Sequence, residues 1–557
     1  MDDIFSKVVA FLIAIMMFFA GLFSSFVDFV GNLINPTTTL TETTTMPTTI
    51  IPTEPDGSST EEPSTGSTVK PSTGTTKEST TKDTSGSDGD ESSSSSTTKK
   101  TSTTKKTTTS TTTKKTTTTE GGTLVQNGTE AWNGTIFGAG NTTTVDICST
   151  GNGYVVCGTS YSADGTFADI YANWSVPYSY IIKYDSNGSV VWSAGIGANK
   201  AVVVTCVTVL ADGSVVAAGY TNATNLVSSS EYPASGTTEA FVVKYSANGT
   251  RQWIDIIGGN GTDCIYSIAS TANGGYIVGG KTTSTTGDFA GYTAYVGKGF
   301  LMEFSSSGTL SRTKCLGGSS GADVQDISID NSGNIFISCL TKSTNGDFAN
   351  IAGLGKGKLD TVVMKYSSAL SLQWAYVIAS SGDDRFTEIA ASDDGGCVVG
   401  GHYTLATTAP DGTLDGIHNC GDTDSLMFKI DANGNQEWNK TVAGLYNDYI
   451  TDIVKITGGY AVVGYTESGN RTFSAMGNKG GTDGFLVLTT PKGNTAKVIG
   501  FGGTGNDIAE AVCVDSSNNI LVTGETLSTD GYFADLGIST TDINVVFVSK
   551  FNITIKG

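Results

Sequence analysis

YIVGGKT, from Tyr276 to Thr282, is one of seven copies of a single phrase: an apolar run that closes on a small residue and then on Thr or a near equivalent. The others are YVVCGTS from Tyr154, SVVAAGYT from Ser214, IFISCLT from Ile335, CVVGGHYT from Cys397, YAVVGYT from Tyr460 and ILVTGET from Ile520. The small anchors Gly158, Gly219, Gly280, Cys339, Gly401, Gly464 and Gly524 recur at intervals of 59 to 63 residues. A period that steady marks a repeat architecture. Around each anchor the chain supplies four strand-like segments. An alternating one such as CIYSIAS from Cys264 comes first, then the anchor phrase, then an apolar segment such as FVVKY from Phe241 to Tyr245. An Asn-Gly turn follows (Asn187-Gly188, Asn248-Gly249, Asn433-Gly434), where positive φ costs Gly little, and it leads into a fourth segment. Trp sits four residues after that turn position at Trp132, Trp192, Trp253, Trp374 and Trp438, the turn position ahead of Trp374 being Leu370, with Arg312 and Lys497 in the other two copies.

Four antiparallel segments with such short turns make one β-meander, too small to bury both faces alone. The chain ends decide how seven meanders pack. The last repeat stops soon after its third segment (NVVFVSKF from Asn544), and the missing fourth appears before the first repeat, where Asn127, Gly128 and Trp132 reproduce the spacing of Asn187, Gly188 and Trp192. The expectation is an all-β fold, a seven-bladed β-propeller of four-stranded antiparallel blades over residues 121–557, closed by one N-terminal strand completing three C-terminal ones. The recurring Trp residues are read as packing between blades.

Residues 1–35 carry the apolar run VVAFLIAIMMFFAGLF from Val8 to Phe23, continued by Phe26, Val27, Phe29 and Val30. The run suits a membrane-crossing signal-anchor helix, or a signal peptide that is removed; a pilin-like assembly helix lacks its processing site. Residues 36–120 are almost all Thr, Ser, Lys, Gly and acids, a disordered stalk with the composition of O-glycosylated spacers. Anchor, stalk and ring in that order predict a domain displayed outside the cell, membrane-anchored, or secreted if the N-terminal segment is cleaved. A net charge of -21, from 32 Lys+Arg against 53 Asp+Glu, excludes nucleic-acid partners. The nine cysteines lack zinc-site spacing; Cys148 and Cys157 flank one hairpin turn and are a candidate cross-strand disulfide.

Catalytic material is scarce. His402 and His418, the only histidines, are assigned to one long loop near Asp411, Asp415 and Cys420. An Asp recurs near the start of the first strand, at Asp263, Asp323, Asp384, Asp448 and Asp507. Its first role is capping backbone N–H groups where the chain crosses between blades. A ring of channel-mouth carboxylates holding a cation such as calcium is the alternative. S-x-x-G-x-F-A recurs at Ser162 to Ala168, Ser284 to Ala290, Ser343 to Ala349 and Ser528 to Ala534, a loop plugged onto its blade by one Phe. The varied lengths of these loops make their face the expected place for partner specificity.

The phrases GGYIVGGKT, S-x-x-G-D-F, FVVKY followed by Gly and Trp, and GGNGTD from Gly258 resemble the secreted bacterial β-propeller repeats of the SBBP type, or delta-60-like repeats, across residues 122–557. That resemblance implies a surface or secreted propeller and carries over no catalytic residue. The Asp185 to Trp192 turn also resembles pyrroloquinoline quinone repeats, without a quinone pocket. The expected function is recognition of glycan or protein ligands by a monomeric propeller, with no bound cofactor. An exported polysaccharide hydrolase or lyase using acids at the channel mouth, and a structural surface-layer component, stand as alternatives.

Overall fold

The structure, a computed structural model, describes residues 123–556 apart from 125–128, 173–176, 228–237, 293–294, 296, 405–411, 416, 418–420, 422, 540–542 and 554. The anchor and stalk assigned to 1–120 lie outside the described residues, as do His418, Asp411 and Cys420. Among the described residues no helix is long and apolar enough to cross a membrane.

Seven four-stranded antiparallel sheets follow one another along the chain. In blade 3 the strands are Asp263–Ser270, Tyr276–Thr282, Lys298–Phe304 and Leu310–Gly317, paired in that order. First strands of successive blades lie against one another, so the first strand is innermost and the fourth forms the rim. The seventh blade is composite: Asp507–Val514, Ile520–Thr526 and Val545–Asn552 are completed by Thr129–Ile136, in register from Thr129 opposite Asn552 to Ile136 opposite Val546. The seam to blade 1 is tied further by Thr523 to Thr144 and by Asn544 to Asn141.

The recurring phrase has a structural cause. Every first strand carries a bulge, as between Ile265 and Ser267. The carbonyl oxygen just ahead of it points straight at the anchor of the second strand. A Cβ on Gly158, Gly219, Gly280, Gly401, Gly464 or Gly524 would run into that oxygen. The apolar residues flanking each anchor alternate between the two faces of the sheet, and both faces are buried against neighbouring blades, which is why these strands read as continuous hydrophobic runs.

Each rim Trp packs on the blade that follows. A Cβ on Gly249 would lie 2.7 Å from the Trp192 ring, and Gly188, Gly308, Gly434 and Gly493 face Trp132, Trp253, Trp374 and Trp438 in the same way. The indole N–H groups of Trp192 and Trp374 donate to the Ala247 and Ala432 carbonyls, at 3.1 and 3.0 Å. The contact between blades 3 and 4 departs from this on both sides. Leu370 holds the glycine position with φ of 57°, and Arg312 replaces Trp and donates to the Ser368 carbonyl at 2.6 Å. Left-handed backbone costs a branched side chain about 1–2 kcal/mol, and Arg312 leaves room for one where indole does not. Leu370→Gly is therefore expected to stabilise the protein by about 1 kcal/mol in urea unfolding, whereas Gly249→Leu is expected to destabilise it.

Two expectations fail here. His402 is not in a loop but inside the strand Cys397–Thr404, its ring edge-on to Tyr449 at 4.8 Å. Burial, and then the Arg385 charge, push it down to about 3, so it is neutral. Cys148 and Cys157 are free, because Cys148 stands opposite Val155 and Cys157 opposite Asp146; the hairpin register keeps them apart.

Candidate functional site

The loops that lead into the first strands and the loops between second and third strands share one face of the ring. The S-x-x-G-x-F segments form short 3-10 turns there, with Phe167, Phe289, Phe348 and Phe533 fully buried or nearly so. Leu414 and Phe473 do the same in two blades whose sequence departs from the pattern. In each of these turns except that at Arg471, a glycine with positive φ starts the turn. The face is therefore a set of variable connections on fixed plugs. Phe137, Tyr161, Leu445 and Tyr446 stand exposed on it, at 48%, 39%, 46% and 60%.

Beneath these loops lie the predicted aspartates. Asp263 accepts from Gly259 N–H at 3.1 Å, from Ser284 Oγ at 2.6 Å and from Thr282 Oγ1. Asp507 accepts from Gly503 N–H at 2.8 Å, Ser528 Oγ at 2.8 Å and Thr526 Oγ1 at 2.6 Å. Asp448 repeats the set with Gly444, Thr466 and Ser468, and Asp384 takes both donors of Ser380. All four are buried, so they tie crossing loops to the blade below and do not line an open channel mouth. Asp323 does not belong to this set. Its strand places Ala322 opposite Thr341, where Asp263 stands opposite Thr282, so Asp323 falls on the other face of the strand, 3.9 Å from Lys281.

A second acidic position, missed in the sequence, adjoins the first. At the start of the third strands Glu239, Asp360, Asp424 and Asp483 occupy equivalent places. Each borders the aspartate of the next blade. Gly258 lies between Glu239 and Asp263. Burial, and then the Asp360 charge among others, raises Asp384 to about 7 despite its bonds to Ser380. Burial and Asp424 raise Asp448 to about 6, while burial and Asp507 raise Asp483 to about 6. The signal was an acid immediately ahead of the FVVKY-type segment, as in EAFVVKY and DTVVMKY.

A third set, also missed, surrounds the axis at the bulges. Asp146 accepts from its neighbour Ile147 N–H and from Val207 N–H of the next blade, both at 2.7 Å. Asp326 bridges to Ile389 N–H at 2.9 Å and Asp452 to Val512 N–H at 2.7 Å. Glu388 joins them, and burial raises all four, Asp146 to about 7. Among the described residues no group of three or more His, Cys, Asp or Glu is arranged to hold a metal ion.

On the opposite face, a polar pocket of about 260 Å³ lies at the seam between blades 7 and 1, lined by Asn152, Tyr154, Ser186, Asp515, Asn519 and Lys550 among others. Lys550 bridges it, 3.2 Å from Asp515 and donating to the Ser186 carbonyl at 3.3 Å.

No family model matches the chain. A curated relative, the regulatory protein FlaEY of Caulobacter vibrioides, is 27% identical over 266 residues; the match takes in 42% of this chain and 28% of that protein's length. Among solved structures, the hydrazine synthase of Kuenenia stuttgartiensis is similar at 9% identity and a TM-score of 0.40, covering 76% of this chain and 97% of that one. A gluconolactonase of Xanthomonas campestris is similar at 10% identity and a TM-score of 0.31, covering 69% and 94%. Neither likeness supports an argument about chemistry.

Proposed function

We propose that the ring is a binding module, displayed at the cell surface or secreted, that recognises a glycan or protein ligand through the loops of its plugged face. The observation that carries this is the placement of Phe137, Tyr161, Leu445 and Tyr446 in solvent on loops whose bases are immobilised by buried rings. Rigid exposed aromatics give large contact area at little entropic cost, which suits stacking on sugar rings or seating a protein loop. Asp263, Asp384, Asp448 and Asp507 beneath that face are committed to structural donors, which favours recognition over hydrolysis.

Glycan arrays and a panel of extracellular-matrix and surface proteins, probed with the full chain, test the reading. A ligand found there is expected to bind at least about tenfold more weakly to Tyr446→Ala or Phe137→Ala, as for a central aromatic contact. Val190→Ala, on the rim, is expected to leave binding unchanged. Silence across both panels, or a ligand indifferent to all loop-face changes, counts against the proposal.

A further inference from the structure

The two acidic positions at the blade junctions are filled together or not at all. Between blades 2 and 3 they are Glu239 and Asp263; between 4 and 5, Asp360 and Asp384; between 5 and 6, Asp424 and Asp448; between 6 and 7, Asp483 and Asp507. At the other three junctions the same positions hold Tyr178 with Val202, Lys298 with Ala322, and Val545 with Thr142. One carboxylate of each pair caps a crossing loop, and Asp360, Asp424 and Asp483 beside them take an N–H from the loop ahead of their own strands, from Gly355, Gly421 and Lys479, but neither bond requires the two acids to be neighbours. Two buried carboxylates side by side repel unless something positive lies between them.

Two of the pairs show an open valence. Asp483 is 1% exposed and its Oδ2 accepts from Lys479 N–H at 2.8 Å, yet its Oδ1 has no hydrogen-bond partner. Asp360 is 1% exposed, its Oδ2 accepts from Gly355 N–H at 2.6 Å and the Lys356 and Gly357 N–H groups also favour its charge, while its Oδ1 makes no hydrogen bond. Asp507 and Asp384 already accept from donors on both oxygens. Neutral oxygens are close by. The carbonyls of Gly503 and Gly505 approach the backbone at Gly480, three residues before Asp483, and those of Ser380 and Gly382 approach Gly357, three residues before Asp360, the Gly382 carbonyl also accepting from Lys358 N–H at 3.1 Å. The nearest cations, Lys479 and Lys356, carry exposed side chains and lower these carboxyls only as minor influences.

We propose that divalent calcium binds at these blade junctions, between Asp360 and Asp384 and between Asp483 and Asp507. Carboxylates and backbone carbonyls are the ligands a hard cation takes, and calcium accepts them in irregular numbers and geometry. Each ion ties the third strand of one blade to the first strand of the next, so calcium strengthens the ring between blades.

The full chain, freed of metal with a chelator and then dialysed, is titrated with calcium chloride while bound metal and Tm are measured. Calcium is expected to bind and to raise Tm by several degrees, magnesium to do so less. Asp483→Asn and Asp360→Asn, which keep the accepted N–H bonds, are each expected to lose one bound ion and part of the Tm response. Asp323→Asn, off register and half-exposed, is expected to lose neither. The proposal is overturned if the native chain binds no calcium and its Tm ignores the metal, or if calcium binds equally to both variants. It is overturned too if Asp483→Asn simply raises Tm in chelator at pH 8 with no calcium bound by the native chain, the mark of a pair that shares a proton.

Discussion

Removal of residues 122–138 is expected to abolish cooperative unfolding and to drive the remaining chain into aggregates. Strand Thr129–Ile136 supplies the whole outer ladder of blade 7, and without it Val545–Asn552 becomes an exposed edge of alternating Val and Phe. An unpaired hydrophobic edge recruits other chains. Trp132 goes with it, stripping its stack on Tyr154, 5.3 Å away. Shortening the connection between Thr221 and Glu239 by about half its length, leaving Ala223 and Leu226 in place, is expected to cost far less, since loop length enters stability only logarithmically. Calorimetry and light scattering on the two deletions check the contrast. A peptide of residues 122–138 added to the first is expected to restore part of the transition, because a strand that binds only the folded ring stabilises it by mass action.

Stability is expected to be greater at pH 5 than at pH 8 in chelator, by on the order of 5–10 °C in Tm. Burial first, and neighbouring acids second, raise Asp384 to about 7 and Asp448 and Asp483 to about 6. Asp146 and Glu510 rise to about 7, and Glu388, Asp452 and Glu525 go well above their ordinary values. The folded chain thus holds protons that the unfolded chain, with carboxyls near 4, has released. Each such group is without penalty below its unfolded value and costs stability progressively as pH climbs to its folded value, so the loss accumulates between about pH 4 and 7. His402 opposes this, since it is held neutral and resists folding once the unfolded imidazole takes a proton below about 6.5. One histidine is outnumbered by the acids. Below pH 4 the trend reverses, because Asp212 and Asp515, lowered by bonds from Ser214 and from Asn519 against burial, lose their partners' contribution. A Tm that rises steadily from pH 5 to 8 in chelator would contradict this reading.

The seven-fold ring and its closure were legible because they rest on spacing. A small anchor, Gly in six copies and Cys339 in the seventh, recurs where a bulge carbonyl presses on the second strand, and the Trp132 turn supplies the fourth strand that the C-terminal end of the last blade lacks. Face and depth were harder to read. Asp323 looked equivalent to Asp263 because both follow a glycine pair, but one residue of register in a strand turns a side chain to the opposite face. His402 follows its anchor Gly401 directly, a strand position that was mistaken for loop because it was grouped with His418 and the acids beyond it. The acid pairs were invisible as pairs: Asp360 and Asp384 belong to different blades, and only the crossing of the chain brings them together.

The composite blade also decides how the ring bears load. The closing strand enters at Thr129 on the face opposite the plugged loops and leaves at Ile136 toward them. A pull between those loops and Thr123 therefore runs along that strand. Its ladder bonds, perpendicular to the pull, are loaded in shear and must slip as a group, whereas force applied between the adjacent chain ends would peel them one by one. The clasp is strongest against a pull along its own strand.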